Sequence, residues 1–156
     1  MSRFAVPRHY SAMQPLIDFS ERIHRSARLD PALIELVLMR VSQINGCAFC
    51  LDMHSQDARS RGESEQRLYL LPAWRETRLY SEPEQVALAW AEELTRLASP
   101  DAVSDDLYEQ AKRHFDDDAL VDLTLLVVAI NGWNRINIAA RTIGGSYRPA
   151  ARSNPA

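Results

Sequence analysis

Apolar residues recur at intervals of three and four along most of this chain. Leu33, Ile34, Val37, Leu38, Val41 and Ile44 form one such series, and that spacing lays an apolar stripe on one face of a helix. Its ends are marked as well. Asp30-Pro31 precedes the series; aspartate caps free N–H groups, and proline fits the first helical position. Asn45-Gly46 follows it, and glycine accepts the left-handed conformation just past a helix. No segment alternates apolar and polar residues as a half-buried strand does.

The same signals recur elsewhere. A second helix is expected over 47–61, closed by Gly62. Ser81, Pro83 and Glu84 make a capping-box start for a helix over 82–98 that carries Val86, Leu88, Ala89, Trp90, Leu94 and Leu97. Ser104-Asp105-Asp106 opens another, to about Phe115. Asp116, Asp117 and Asp118 precede a long apolar segment over 119–140, where they complement a helix dipole. Leu16, Ile17, Phe19 and Ile23 suggest one more helix before Arg28. The expected fold is all-α: one compact domain of about six helices over 1–144, then a Gly-, Pro- and Ser-containing tail over 145–156. At 156 residues the chain is long enough for one core of its own.

A net charge of −3 argues against a primary nucleic-acid binder. The N-terminal residues show no apolar core of a secretory signal. The longest apolar stretch, 119–130, contains Asp122 and Thr124 and falls short of the roughly 20 residues a membrane span needs. A cytoplasmic location is therefore expected, and in a reducing compartment a cysteine pair more often serves catalysis or metal binding than stapling.

Both cysteines lie in the stretch ELVLMRVSQINGCAFCLDMH: Cys47 and Cys50, with Glu35 twelve positions before the first and His54 four after the second. A stabilising disulfide closing so short a loop removes little unfolded-state entropy. Haem attachment needs histidine directly after the second cysteine, and residue 51 is leucine. Zinc held by Cys47, Cys50, His54 and Glu35 remains open, as do two unreactive buried cysteines. A redox pair explains more. At a helix N-terminus the free N–H groups and the dipole favour thiolate over thiol. His54 lies one turn beyond Cys50, placed to exchange a proton. If helices 31–45 and 47–61 form an antiparallel hairpin, Glu35 and His54 stand roughly 16 and 12 Å above its hinge and face each other. Glu35 then orients His54 as the acid orients the histidine in a nucleophilic triad. Position alone does not choose which sulfur attacks.

The pattern Glu-x11-Cys-x2-Cys-x3-His resembles the signature of alkylhydroperoxidase D (AhpD) and its relatives in the carboxymuconolactone decarboxylase-like superfamily. LPAWRETRLYSEPEQVALAWAEELT (71–95) and AINGWNRINIAAR (129–141) resemble blocks of its smaller peroxidase-related members. The resemblance implies a helical fold, a homo-oligomer (trimer or hexamer), and thiol-dependent reduction of hydroperoxides without haem, flavin or metal. It implies that Cys50 attacks the peroxide, that Cys47 resolves the sulfenic acid into a Cys47–Cys50 disulfide, and that His54 and Glu35 relay the proton. It also implies an external dithiol reductant, such as a dihydrolipoamide-bearing protein. AhpD proper has a histidine just before the second cysteine; Phe49 stands here, which dries the site and tends to raise a thiol pKa. The rival readings are a carboxymuconolactone decarboxylase-type enzyme, whose chemistry does not call for the pair, and a non-catalytic thiol redox sensor. Asn131, Trp133, Asn134 and Arg135 interrupt an apolar helix. A subunit interface is the preferred reading for them over a pocket rim, since Trp and Arg are enriched at interfaces.

Overall fold

The computed structural model describes residues 2–99 and 101–149. Among the described residues seven α-helices follow in order: α1 Tyr10–His24, α2 Pro31–Asn45, α3 Ala48–Ser60, α4 Glu65–Leu70, α5 Glu82–Arg96, α6 Asp105–Lys112 and α7 Asp117–Ala140. Short 3-10 turns, Val6–His9 and Leu71–Glu76, precede α1 and follow α4. There is no strand among the described residues. The part of the expected tail over 150–156 lies outside them.

The caps act as their sequence suggests. Asp30 accepts a hydrogen bond from the Ala32 N–H at 2.7 Å, and Gly46 closes α2 at φ +69°. Ser81 and Glu84 form the capping box of α5. Asp116 caps α7 by accepting from the Ala119 N–H at 2.8 Å.

α2 is the centre of the molecule, packed against α3, α5 and α7. Every residue from Leu33 to Ser42 is buried. The single apolar face expected for it is therefore too narrow a description. One side joins α5 and α7 through Val37, Val41, Ala87, Leu123 and Val127. The other carries Leu36 and Met39 into a smaller cluster with Leu68, Leu71, Trp74 and Leu88. Two cores on opposite sides leave α2 no solvent face, so its polar positions Glu35 and Arg40 are buried too.

Other expectations are corrected. Residues 65–76, outside the helices expected from the sequence, form α4 and the following 3-10 turn, capped by the Ser64 hydroxyl, which accepts from the Arg67 N–H. α5 ends at Arg96; Leu97 takes a left-handed conformation at φ 43° and is exposed rather than part of the apolar face. α7 is one unbroken helix of 24 residues, long and apolar enough to span a membrane by length and composition; here it packs against α1, α2 and α5. Its polar residues bond within the chain. Asn134 is fully buried and its Nδ2 donates to the Ser42 hydroxyl, while Asn45 donates to both Asn131 and Asn134. Trp133 Nε1 donates to the Ser20 hydroxyl. These bonds pin α7 to α2 and α1 and supply the partners that buried polar groups require; Asn134 is enclosed within the chain, while Asn131, Trp133 and Arg135 keep part of their surface exposed.

Candidate active site

The turn at Gly46 brings α3 back against α2. Cys47 is the N-cap of α3, and its sulfur accepts from the Cys50 N–H at 3.4 Å. Cys47 and Cys50 are joined as a disulfide, with Cα atoms 5.4 Å apart. Both are buried, at 2% and 1% exposure. Phe49 packs partly buried against the main core. Asn137 of α7 lies over the pair, its Nδ2 3.9 Å from Cys50 Sγ and also donating to the Trp133 carbonyl.

Glu35 on α2 and His54 on α3 meet across the hairpin, Oε2 3.1 Å from Nδ1, and both are buried. With the carboxylate as acceptor the imidazole hydrogen sits on Nδ1, leaving Nε2 as the basic nitrogen. Arg61, half-exposed at the end of α3, places Nε 3.5 Å from Glu35 Oε1. All four residues singled out in the sequence are thus on one hairpin: a sulfur pair at the start of α3, an imidazole one turn further, and a carboxylate fixed on it.

The structure adds residues that the sequence pattern does not contain. Asp57, one turn beyond His54, has a carboxylate oxygen in a group with the His54 nitrogen and a Glu35 oxygen, all within 4.8 Å of one another. These three are the group that could hold a metal ion among the described residues. In the disulfide form the Cys47 and Cys50 sulfurs bond to each other and are not free to ligate a metal. His24, in the last turn of α1, lies among the same charges; desolvation lowers its pKa, outweighing the upward pull of Glu35.

The chain after α7 closes over α3. Gly144 passes so near the Ala48–Phe49 peptide that a Cβ there would lie 2.7 Å from the Ala48 carbonyl oxygen. Asp52 accepts from the Gly145 N–H at 2.6 Å and the Tyr147 N–H at 3.1 Å. Gln56 Nε2 donates to the Tyr147 carbonyl at 2.9 Å. The Tyr147 hydroxyl donates to Asp57, 2.9 Å from Oδ1. Desolvation, then that bond to Asp57, pushes the Tyr147 pKa up to about 12, so it remains a donor at neutral pH. Burial raises the Asp57 pKa, opposed by the Tyr147 bond.

Residues 11–93 match the carboxymuconolactone decarboxylase family, and the chain belongs to it. It is 46% identical over 119 residues to the uncharacterised YdfG protein of Bacillus subtilis, covering 76% of this chain and 80% of that one. Among solved structures it is similar to a protein of unknown function from Agrobacterium tumefaciens, provisionally grouped with the AhpD antioxidant defence proteins. That likeness has a TM-score of 0.88 at 34% identity and covers 94% of this chain and all of the other. An uncharacterised peroxidase-related protein from a Silicibacter species shares the fold, with a TM-score of 0.77 at 20% identity over 88% of this chain and 72% of that one. The chain is thus an all-helical, AhpD-like member of this superfamily with a paired CxxC at the start of a helix.

Proposed function

We propose that this protein is a thiol-dependent alkylhydroperoxide reductase serving antioxidant defence. The observation that carries the reading is the Cys47–Cys50 pair at the start of α3, with His54 one turn away and Glu35 bonded to it. In the reduced protein His54 takes the Cys50 proton. The Cys50 thiolate attacks the outer peroxide oxygen and the O–O bond breaks. The leaving alkoxide takes the proton from His54 and departs as an alcohol, and Cys50 is left as a sulfenic acid. Cys47 then attacks the Cys50 sulfur; the disulfide forms and the hydroxyl leaves as water. Exchange with an external dithiol returns two thiols. A dihydrolipoamide-bearing protein fits that part, in a reducing cytoplasm, with the enzyme working as a homo-oligomer.

The closed setting of the sulfurs gives a second reading some support. Both are almost inaccessible, which suits a slow sensor as well as a gated enzyme. Turnover separates them: an enzyme speeds hydroperoxide removal for as long as dithiol is supplied, whereas a sensor reacts once. A decarboxylase-type enzyme would act on its lactone with both cysteines replaced by serine.

The primary test follows thiol loss when reduced protein meets tert-butyl hydroperoxide, beside Cys47→Ser and Cys50→Ser. The wild type is expected to lose both thiols together. Cys47→Ser should stop at a sulfenic acid, and Cys50→Ser should react no faster than free cysteine. Thiols that survive peroxide in the wild type sink the peroxidase reading.

A further inference from the structure

The signature accounts for His54 and Glu35 but not for the second carboxylate beside them. We propose that Asp57 is a positioning residue of this site, offering protonated His54 a carboxylate beside Glu35, and that Tyr147 of the C-terminal segment holds it there.

Three observations carry this. First, the ligand atoms of His54, Glu35 and Asp57 all lie within 4.8 Å of one another. Second, the Tyr147 hydroxyl spans both Asp57 oxygens, at 2.9 and 3.2 Å, which fixes the carboxylate plane. Third, Tyr147 is itself anchored through its backbone, by Asp52 and Gln56, so its ring is not free to drift. The titratable and charged groups around His54 are His24 from α1, Glu35 from α2, Asp57 and Arg61 from α3 and its end, and Tyr147. Two carboxylates against the one guanidinium leave the cluster one negative charge in excess until His54 takes a proton. The Tyr147 bond also opposes the rise that burial imposes on Asp57.

The catalytic meaning of the arrangement rests on the peroxidase reading; the coupling of Asp57 to His54 does not. The test is therefore a titration rather than an assay. Protein with isotopically labelled histidine, in its disulfide form and in metal-free buffer, is titrated by NMR as wild type, Asp57→Asn, Tyr147→Phe and the double variant. Asp57→Asn should lower the His54 midpoint by roughly one pH unit, as expected for losing a nearby opposite charge. In the Tyr147→Phe background the same substitution should shift it by about half as much or less, the mark of coupled residues. An unchanged midpoint in Asp57→Asn overturns the proposal, and equal shifts in both backgrounds remove Tyr147 from it. Should Asp57→Asn not fold, Asp57→Ser removes the same charge. A wild type that consumes no peroxide would leave this result standing, so the two readings fail separately.

Discussion

Glu35 keeps only 4% of its side chain in contact with solvent, so its charge must be answered locally. His54 answers one oxygen and Arg61 the other. Glu35→Gln preserves the shape and one acceptor but removes the charge that makes imidazolium formation favourable. On the proposed mechanism, peroxide-driven thiol loss should slow by about 10²-fold, the lower range for general acid–base catalysis. Disulfide formation by a chemical oxidant that needs no proton relay should be less affected. Stopped-flow thiol consumption checks this; an unchanged rate removes Glu35 from the relay. This residue pair was legible in the sequence because a helical hairpin with a marked hinge converts spacing into height. Asp57 was legible only as a third position after His54, where any exposed helix carries acids. Tyr147 was not legible at all: its partner is 90 residues away, and the path between them runs through the whole fold.

At the scale of elements, the segment after α7 does for α3 what a cap or a neighbouring helix does elsewhere. Its hold depends on the Asp52 carboxylate, which accepts two backbone N–H groups and the Gln56 amide. The backbone bond from Tyr147, then that from Gly145, depress the Asp52 pKa. A depressed carboxylate stabilises docking above its unfolded pKa, and that contribution is lost as pH falls through the folded value. Asp52→Ala should therefore free the segment at neutral pH. Amide exchange at Gly145 and Tyr147 should quicken several-fold, while α2 stays protected. Reduction of the buried disulfide by dithiothreitol should quicken with it. Faster exchange with unchanged reduction would show that the segment does not cover the sulfurs. Gly144→Ala tests the same contact sterically, since its methyl group has no room above Ala48. Local glycine, proline and serine mark this segment as non-helical, but no local pattern announces that it docks, because its backbone groups meet the distant Asp52 and Gln56 and the Tyr147 hydroxyl meets the distant Asp57.

Across the whole molecule, most helix boundaries could be read from caps and periodicity, because those devices are local. What periodicity concealed was the centrality of α2: a stripe of apolar residues cannot reveal that a second core lies behind it. The consequence is a buried ionic cluster. Arg40 on α2 donates to Glu92 on α5 at 2.6 Å, and Glu92 also accepts from Trp74 Nε1, Arg75 and Arg96. Arg40 and Glu92 are 52 residues apart, so neither sequence neighbourhood hints at the other. Glu92 has no exposed surface. Desolvation alone would raise its pKa; the bonds from Arg75, Trp74 and Arg40 hold it down to about 2, against an ordinary 4.5. The sign follows directly. This carboxylate stabilises the fold fully above the unfolded value, and the stabilisation is lost as pH falls through the window from about 4.5 to about 2. Removing one partner of such a buried pair strands the other, at about 3–5 kcal/mol. Glu92→Gln should thus lower stability at pH 7 by about that amount and flatten the acid side of the stability profile. Urea unfolding of both proteins between pH 7 and pH 2 measures the two effects together. If the variant and the wild type lose stability in parallel over that window, Glu92 is not what ties α2, α5 and the 3-10 turn together against acid.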